Sequence, residues 1–585
     1  MASGPDMYRC FWTPDADTID FHVCKSCGHR RKQNIRHGYS NLISHLKASH
    51  VGWEQVVAVH CANGIGPMDA FARQVSAKAI NLYGWLEWTL EQNHSFRFCE
   101  KKLTRKYSTL TALTTKTLMK YVTLTAASVR NHLSNMLPES FGLVIDGWSQ
   151  DSLHFSGIYA VYVSNAHPMV VQEFLLSCNV AEDITDETDF VDELADSEKG
   201  FGFSAEDWFD ILVDALQIYG IDITVHNCNA IIEFLCADNC STNRSLSTKA
   251  GIPLIGCYSH KLNLAINDLI GKKQKKNRAG AITQYEDGDR PLVSKLDKLM
   301  GQLGTLKNSS LLRAKTPLLP QRKNAIRWAS LFNMLVKWKR IREFVMAIDE
   351  FPADTVAKIP TSAENSRLSI LLDELKCFES VSKALQGGGL NTLTLYEARK
   401  MFDKLLDDFG QYPLSQLKAN SVLVNNPPFE NGVIKIQSGN EDRMSRAEKD
   451  AVSRYLKPAV AAAGNAEKEG EPPAQHKAYA DRVLSMAQQD KRQRIDTSKY
   501  RTTIHVLPQS NLCERLFSHA KIIMSDRRKH MKPQTLNDVL LLKANRQLWG
   551  PGLIQAILNA QKEAGDSDND EDDGDEDDSD YYGDL

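Results

Sequence analysis

At 585 residues the chain exceeds what one hydrophobic core normally supports, so three or more structural units are expected. Its 42% apolar share permits true cores, yet no apolar run approaches the ~18 residues of a membrane span, so no membrane partner is expected. The formal net charge of -3 hides an asymmetry. Residues 566–585 hold 12 acidic and no basic side chains, so the rest sets 70 Lys and Arg against 61 Asp and Glu, about +9. A basic body suits nucleic acid, and the self-repelling tail is expected to be disordered, either shielding a DNA surface or serving solubility alone. The 12 cysteines show no disulfide framework and fit a reducing compartment. The first ten residues lack a secretory pattern.

In chain order, Cys24 and Cys27 are followed by His45 and His50, a C-x2-C then H-x4-H pattern. Two thiolates and two imidazoles satisfy the tetrahedron that zinc prefers. Residues 39–50 read as a short helix carrying both histidines, with Leu42 and Leu46 at i, i+4 closing on a small core with Phe21. Arg30, Arg31, Lys32, Arg36 and Lys47 lie in or beside this segment, as a phosphate-contacting surface requires. Residues 7–51 therefore read as a zinc finger that binds double-stranded DNA.

Residues 52–120 read as helical, with Phe71, Tyr83, Trp85 and Trp88 as apolar anchors. Strands follow at 141–148, 154–163 and 169–178, then an acidic loop at 183–196 and a helix at 205–219. A fourth strand at 231–237, a helix at 241–249, a fifth strand at 252–255 and a helix at 259–270 complete the series. Three strands, helix, strand, helix, strand, helix is the layout of an α/β ribonuclease-H-like domain. Residues 291–404 turn helical. Residues 419–443 and 458–478 read as loops, 502–508 as a short strand, and 511–558 as a final helical block. Basic clusters stand at 101–106, 272–278 and 527–529, the second also fitting a nuclear import signal.

Asp146 closes the first strand of this reading and Asp238 the fourth. Neighbouring strands would bring both carboxylates to one sheet edge, where magnesium or manganese would relieve their repulsion. A third carboxylate permits two-metal phosphoryl chemistry, and Glu514, in NLCERLFSH at 511–519, is the candidate. Each Asp alone reads better as a turn or helix-capping residue, so the metal reading rests on strand placement.

These segments resemble the hAT superfamily of cut-and-paste DNA transposases, and the finger resembles the BED type. IDGWS at 145–149, ADNCSTN at 237–243, CYSHKLNL at 257–264, AIRWAS at 325–330, SNLCERLFS at 510–518 and NRQLW at 545–549 are similar to family motifs, in order. The resemblance implies a catalytic metal site of Asp146, Asp238 and Glu514, and base stacking by Trp328 beside Arg327. It also implies a role near the active site for Cys257 and His260. The polar stretch 479–499 departs from the aromatic-rich helix common in the family.

The implied architecture is multidomain: finger at 7–51, helical DNA-binding or linker region at 52–135, and ribonuclease-H-like core at 136–290. A mostly helical insertion spans 291–500, a dimerisation region 501–560 and an acidic tail 561–585. Residues 511–558 carry more apolar positions than one catalytic helix needs, which suggests a homodimer interface or a core within one chain. The expected function is a nuclear, metal-dependent DNA transposase. The alternatives are a domesticated, non-catalytic DNA-binding regulator and a nuclease without strand transfer.

Overall fold

The computed structural model describes residues 7–8, 11–14, 21–25, 29–33, 39–49, 75–150, 153–164, 170–182, 204–276, 282–323, 328–387, 393–457, 498–524 and 531–563. The described residues form two compact units, those up to 129 together with 546–563, and those of 130–545. Among the described residues no helix is long and apolar enough to cross a membrane.

In the first unit, β1 (Trp12–Pro14), β2 (Phe21–Cys24) and β3 (Arg30–Lys32) pair antiparallel in that order, followed by α1 (Ser40–Ser49). Leu42 and Leu46 are fully buried on α1, against Met7, Phe11, Trp12 and Cys24. Phe21 does not join them. Alternation along β2 turns His22 and Cys24 inward, and leaves the half-buried Phe21 ring 5.5 Å from the Arg30 guanidinium carbon.

Next come α2 (Ala77–Glu91), α3 (Lys102–Tyr107) and α4 (Thr115–Met136), which from Arg130 on belongs to the second unit. Ser76 starts α2 by accepting from the Ala79 amide at 3.2 Å. The C-terminal helix Pro551–Glu563 packs on α2, and Gln555 accepts from the Ser76 amide at 2.8 Å. The first part of the region expected to be helical, residues 51–74, lies outside the described residues.

The second unit is built on a mixed sheet of β4 (Phe141–Gln150), β5 (Leu153–Val163), β6 (Val171–Glu182), β7 (Ile232–Ala237) and β8 (Leu254–Gly256). The order is β6-β5-β4-β7-β8; β4, β5 and β6 run antiparallel in succession, and β7 and β8 parallel to β4. All five expected strands form. Between and after them lie α5 (Ala205–Gln217), α6 (Ser241–Ala250) and α7 (Tyr258–Gly271). α5 begins at a capping box of Ser204 and Asp207.

The lysine-rich stretch after α7 forms an antiparallel pair of β9 (Lys272–Lys276) and β10 (Ile282–Asp287). The helical insertion follows the expected pattern, with α8 (Arg290–Leu303), α9 (Leu306–Arg313), α10 (Trp328–Met346), α11 (Ser362–Leu385) and α12 (Leu395–Asp408). Residues 419–443 are not all loop: α13 (Pro427–Ser438) forms there. Its two prolines occupy the first turn, where a missing amide costs nothing and φ is already helical.

Residues 502–508 form no strand. The neighbouring ladder is one isolated bridge between Leu456 and Tyr500. The chain then enters α14 (Asn511–Ile523) and α15 (Pro533–Ala544).

α15 covers the outer edge of β6. Asn545, fully buried, accepts from the Leu175 amide at 3.1 Å and donates to the Leu175 carbonyl at 2.8 Å, while Asn537 accepts from the Cys178 amide at 3.0 Å. Side-chain amides thus take the place of a further strand. The apolar residues read as interface surplus are covered inside the chain. Leu512, Leu516, Phe517, Ile523, Leu536, Val539, Leu540, Leu542 and Trp549 are buried and Leu553 is half-buried, leaving Ile522 56% exposed. Their number therefore does not require a partner.

Candidate active site

β4 and β7 are neighbours in parallel register, Leu143 opposite Leu235 and Val144 opposite Cys236. Asp146 lies two residues beyond Val144, inside β4 rather than closing it, because that strand runs on to Gln150; Asp238 lies two residues beyond Cys236, just past the end of β7, so continuing the register sets the two level. Both are half-buried. Adjacent strands lie ~4.8 Å apart, so the two backbones present their carboxylates as neighbours. Asp146 Oδ1 accepts from the Gly147 amide at 2.9 Å.

The third carboxylate arrives on α14. Opposite Asp146 on β5 is Gly157, and a Cβ there would lie 3.2 Å from Leu516 Cδ2, 3.2 Å from Phe517 Cζ and 3.4 Å from Cys513 Sγ. The bare glycine is the seat on which α14 rests. Cys513 donates to the Gly157 carbonyl at 3.5 Å and approaches the Val144 carbonyl at 3.7 Å. Trp148 stacks on Phe517 with ring centroids 5.8 Å apart. Glu514, next to Cys513 and half-buried, is carried to the same region.

The electrostatics agree with this clustering. Burial, then the charge of Asp146, holds the Cys513 thiol well above its usual range, and Glu514 adds to the effect. Burial, then Cys257 and Asp238, does the same to Cys236, where Asp146 is felt too. Three carboxylates thus border a floor of buried neutral thiols.

The C-x-x-H pair divides between core and site. Cys257 is 1% exposed, and burial, followed by Asp238, pushes its thiol up to about 12, so it packs as a neutral group. His260, one turn along α7, places Nδ1 3.3 Å from Asp238 Oδ2. Asn239 donates to the Cys257 carbonyl at 3.2 Å, and a Cβ on Gly256 would stand 1.7 Å from Asn239 Oδ1. Glycine is therefore required beside the Asp238 turn.

Carboxylate oxygens suit a hard divalent cation, and one or two of them plus substrate oxygens and water are the usual magnesium shell. Asp146 and Asp238 fit that role, with Glu514 on the facing helix. Among the described residues no group of three or more His, Cys, Asp or Glu side chains is placed to hold a metal ion.

Trp328 opens α10 and is 8% exposed, with its amide donating to Asn263 Oδ1 at 3.2 Å and its ring edge-on to Phe332 at 6.3 Å. A ring so covered is not presented for base stacking, and its partner Arg327 lies outside the described residues.

In the N-terminal sheet-and-helix segment, Cys24 is 1% and His45 3% exposed, and His45 stacks on His29 with centroids 5.5 Å apart. Thiolate and imidazole at the junction of sheet and helix fit zinc chemistry. Cys27 and His50 lie outside the described residues. Arg30, Arg31 and Lys32 are exposed along β3 and Lys47 on α1, whereas Arg36 lies outside the described residues.

Gly157 and Glu233 went unread in the sequence, though each carries a signal. One is a glycine inside the β-forming run HFSGIYAVYV, the other a carboxylate inside the apolar run IIEFLCA. Comparison with protein-family models and with curated proteins found no match.

Proposed function

We propose that this protein is a hAT-like DNA transposase with an N-terminal BED-type zinc finger and a ribonuclease-H-like catalytic core. The observation that carries this reading is the placement of Asp146 on β4 and Asp238 just past the end of the adjacent parallel β7, with the Glu514 helix seated on Gly157 of β5. The strand order β6-β5-β4-β7-β8 supports it, since that is the arrangement a ribonuclease-H-like core requires.

Asp146, Asp238 and Glu514 would hold the cations and align a phosphodiester between them. Magnesium or manganese bound there would neutralise charge on the phosphate and favour in-line displacement. His260 positions Asp238. Arg30, Arg31, Lys32 and Lys47 would contact DNA backbone phosphates, with zinc held at Cys24, Cys27, His45 and His50. Nuclear location and homodimerisation through residues 501–560 belong to the same proposal and rest on the family resemblance.

Manganese titration of the full zinc-loaded chain, followed by electron paramagnetic resonance, tests the site. Binding should weaken at least tenfold in Asp146→Asn and in Asp238→Asn. Equal manganese binding by wild type and both variants would exclude a catalytic metal at these carboxylates. Bound DNA without metal-dependent cutting would favour the regulator.

A further inference from the structure

Glu233 is the second residue of β7 and 1% exposed, so an unpartnered charge there would be strongly destabilising. Its partners come from two distant parts of the chain. Ser140, just before β4, donates to Oε1 at 2.8 Å, Arg501 Nη2 donates to Oε1 at 2.5 Å, and His505 Nε2 stands 2.7 Å from Oε2. A carboxylate only accepts, so this His505 nitrogen carries the proton. The His505 ring is 3% exposed, and its Nδ1 is buried with no partner among the described residues. Tyr455 closes the cluster, with the Arg501 guanidinium 5.0 Å above its ring.

The segment from Arg501 to Ser510 has no ladder of its own. Side chains hold its path: Gln437 donates to the Thr503 carbonyl at 2.8 Å, and Asn511 to the Leu385 carbonyl at 3.0 Å. The Tyr258 amide donates to the Pro508 carbonyl at 2.8 Å, fastening the segment to the helix that carries His260. Glu233 supplies its ionic anchor. That anchor sits at one end of β7, while Asp238 follows the other end, five residues on.

We propose that Glu233, gripped by Arg501 and His505, is a positioning residue that indexes the Glu514 helix to the strand ending at Asp238. Its consequence for cleavage rests on the transposase reading; its effect on α14 does not. Ordinary core ion pairs stabilise a fold at large. This one fixes the distance and rotation between two carboxylates that must share cations.

The test is hydrogen exchange by mass spectrometry on the full chain, comparing wild type with Glu233→Gln, Arg501→Met and Arg501→Lys. Glu233→Gln and Arg501→Met should speed exchange across residues 501–517 at least tenfold, with β4, β5 and the finger unchanged. Arg501→Lys, keeping the cation, should restore most of the protection. Should Glu233→Gln fail to fold, Arg501→Met carries the test, since that side chain is 43% exposed. Manganese-dependent cutting of DNA should fall at least tenfold in Glu233→Gln at unaltered DNA affinity. Unchanged exchange at 501–517, or an equal rise across the whole sheet, would overturn the proposal. A wild type that cuts no DNA would count against the transposase reading, and the exchange data would still decide the clamp.

Discussion

Replacing Gly157 with valine probes the seat of the Glu514 helix most sharply. The first added carbon already meets Leu516 and Phe517 at 3.2 Å and Cys513 at 3.4 Å, tighter than ordinary contact. Leu516 and Phe517 are 3% and 7% exposed, so neither can swing into solvent without giving up its own burial. Two further methyl groups must displace the helix, and overpacking of this kind costs about 1–3 kcal/mol. Urea denaturation monitored by circular dichroism should show a lower midpoint at an unchanged slope. Adding Leu516→Ala should recover part of the loss, because it removes one of the two closest atoms. Gly550→Ala, with nothing within 4 Å, should stay within about 0.5 kcal/mol of wild type. A Gly157→Val protein as stable as wild type would show that α14 does not rest on β5 as described.

Further outcomes follow from other parts of the fold. The bonds from His505, Arg501 and Ser140 overcome burial and hold Glu233 at about 2, below its ordinary 4.5. Its stabilisation, about 3 kcal/mol, is therefore complete above pH 4.5 and lost as pH falls from 4.5 toward 2. Acid unfolding of Glu233→Gln should be shallower over that window, and identical acid profiles would contradict the clamp energetics. Asn545→Leu strands the Leu175 amide and carbonyl, at about 1–3 kcal/mol for each unsatisfied group; an unchanged urea midpoint would mean the β6 edge is satisfied otherwise. Chelation should strip zinc from the finger and abolish DNA binding, reversibly on zinc addition, since such sites contribute ~10–16 kcal/mol to folding. Cys24→Ser with full zinc content and DNA binding would exclude that ligand.

Much of this fold could be read from local pattern. The β-forming runs at 141–148, 154–163 and 231–237 became strands because their apolar and aromatic residues are buried by the sheet's own neighbours. Asp146 and Asp238 could be placed because one lies within such a run and the other directly follows one. What escaped depends on long-range contact. Phe21 and Cys24 differ in burial through strand alternation set by pairing with β1 and β3. The base-stacking role of Trp328 came only from the family resemblance, and tertiary packing, which the local sequence does not show, covers its ring. The apolar residues of 511–558 looked surplus because the β6 edge and sheet face they cover lie hundreds of positions earlier. Residues 419–443 read as loop from their Asn, Gly, Pro and Glu content, whereas Pro427 and Pro428 stand at the first turn of a helix.

Strand cutting by the zinc-loaded full chain tests the proposed catalytic function most directly. The substrate is an end-labelled duplex bearing the terminal sequences that flank its coding locus, incubated with manganese and resolved on a denaturing gel. Wild type should cut at the ends. Asp146→Asn, Asp238→Asn and Glu514→Gln should each lower the rate at least a hundredfold while DNA binding by the finger is retained. Cutting that persists in the triple variant, or a wild type that binds these ends and never cuts them, would contradict the assignment.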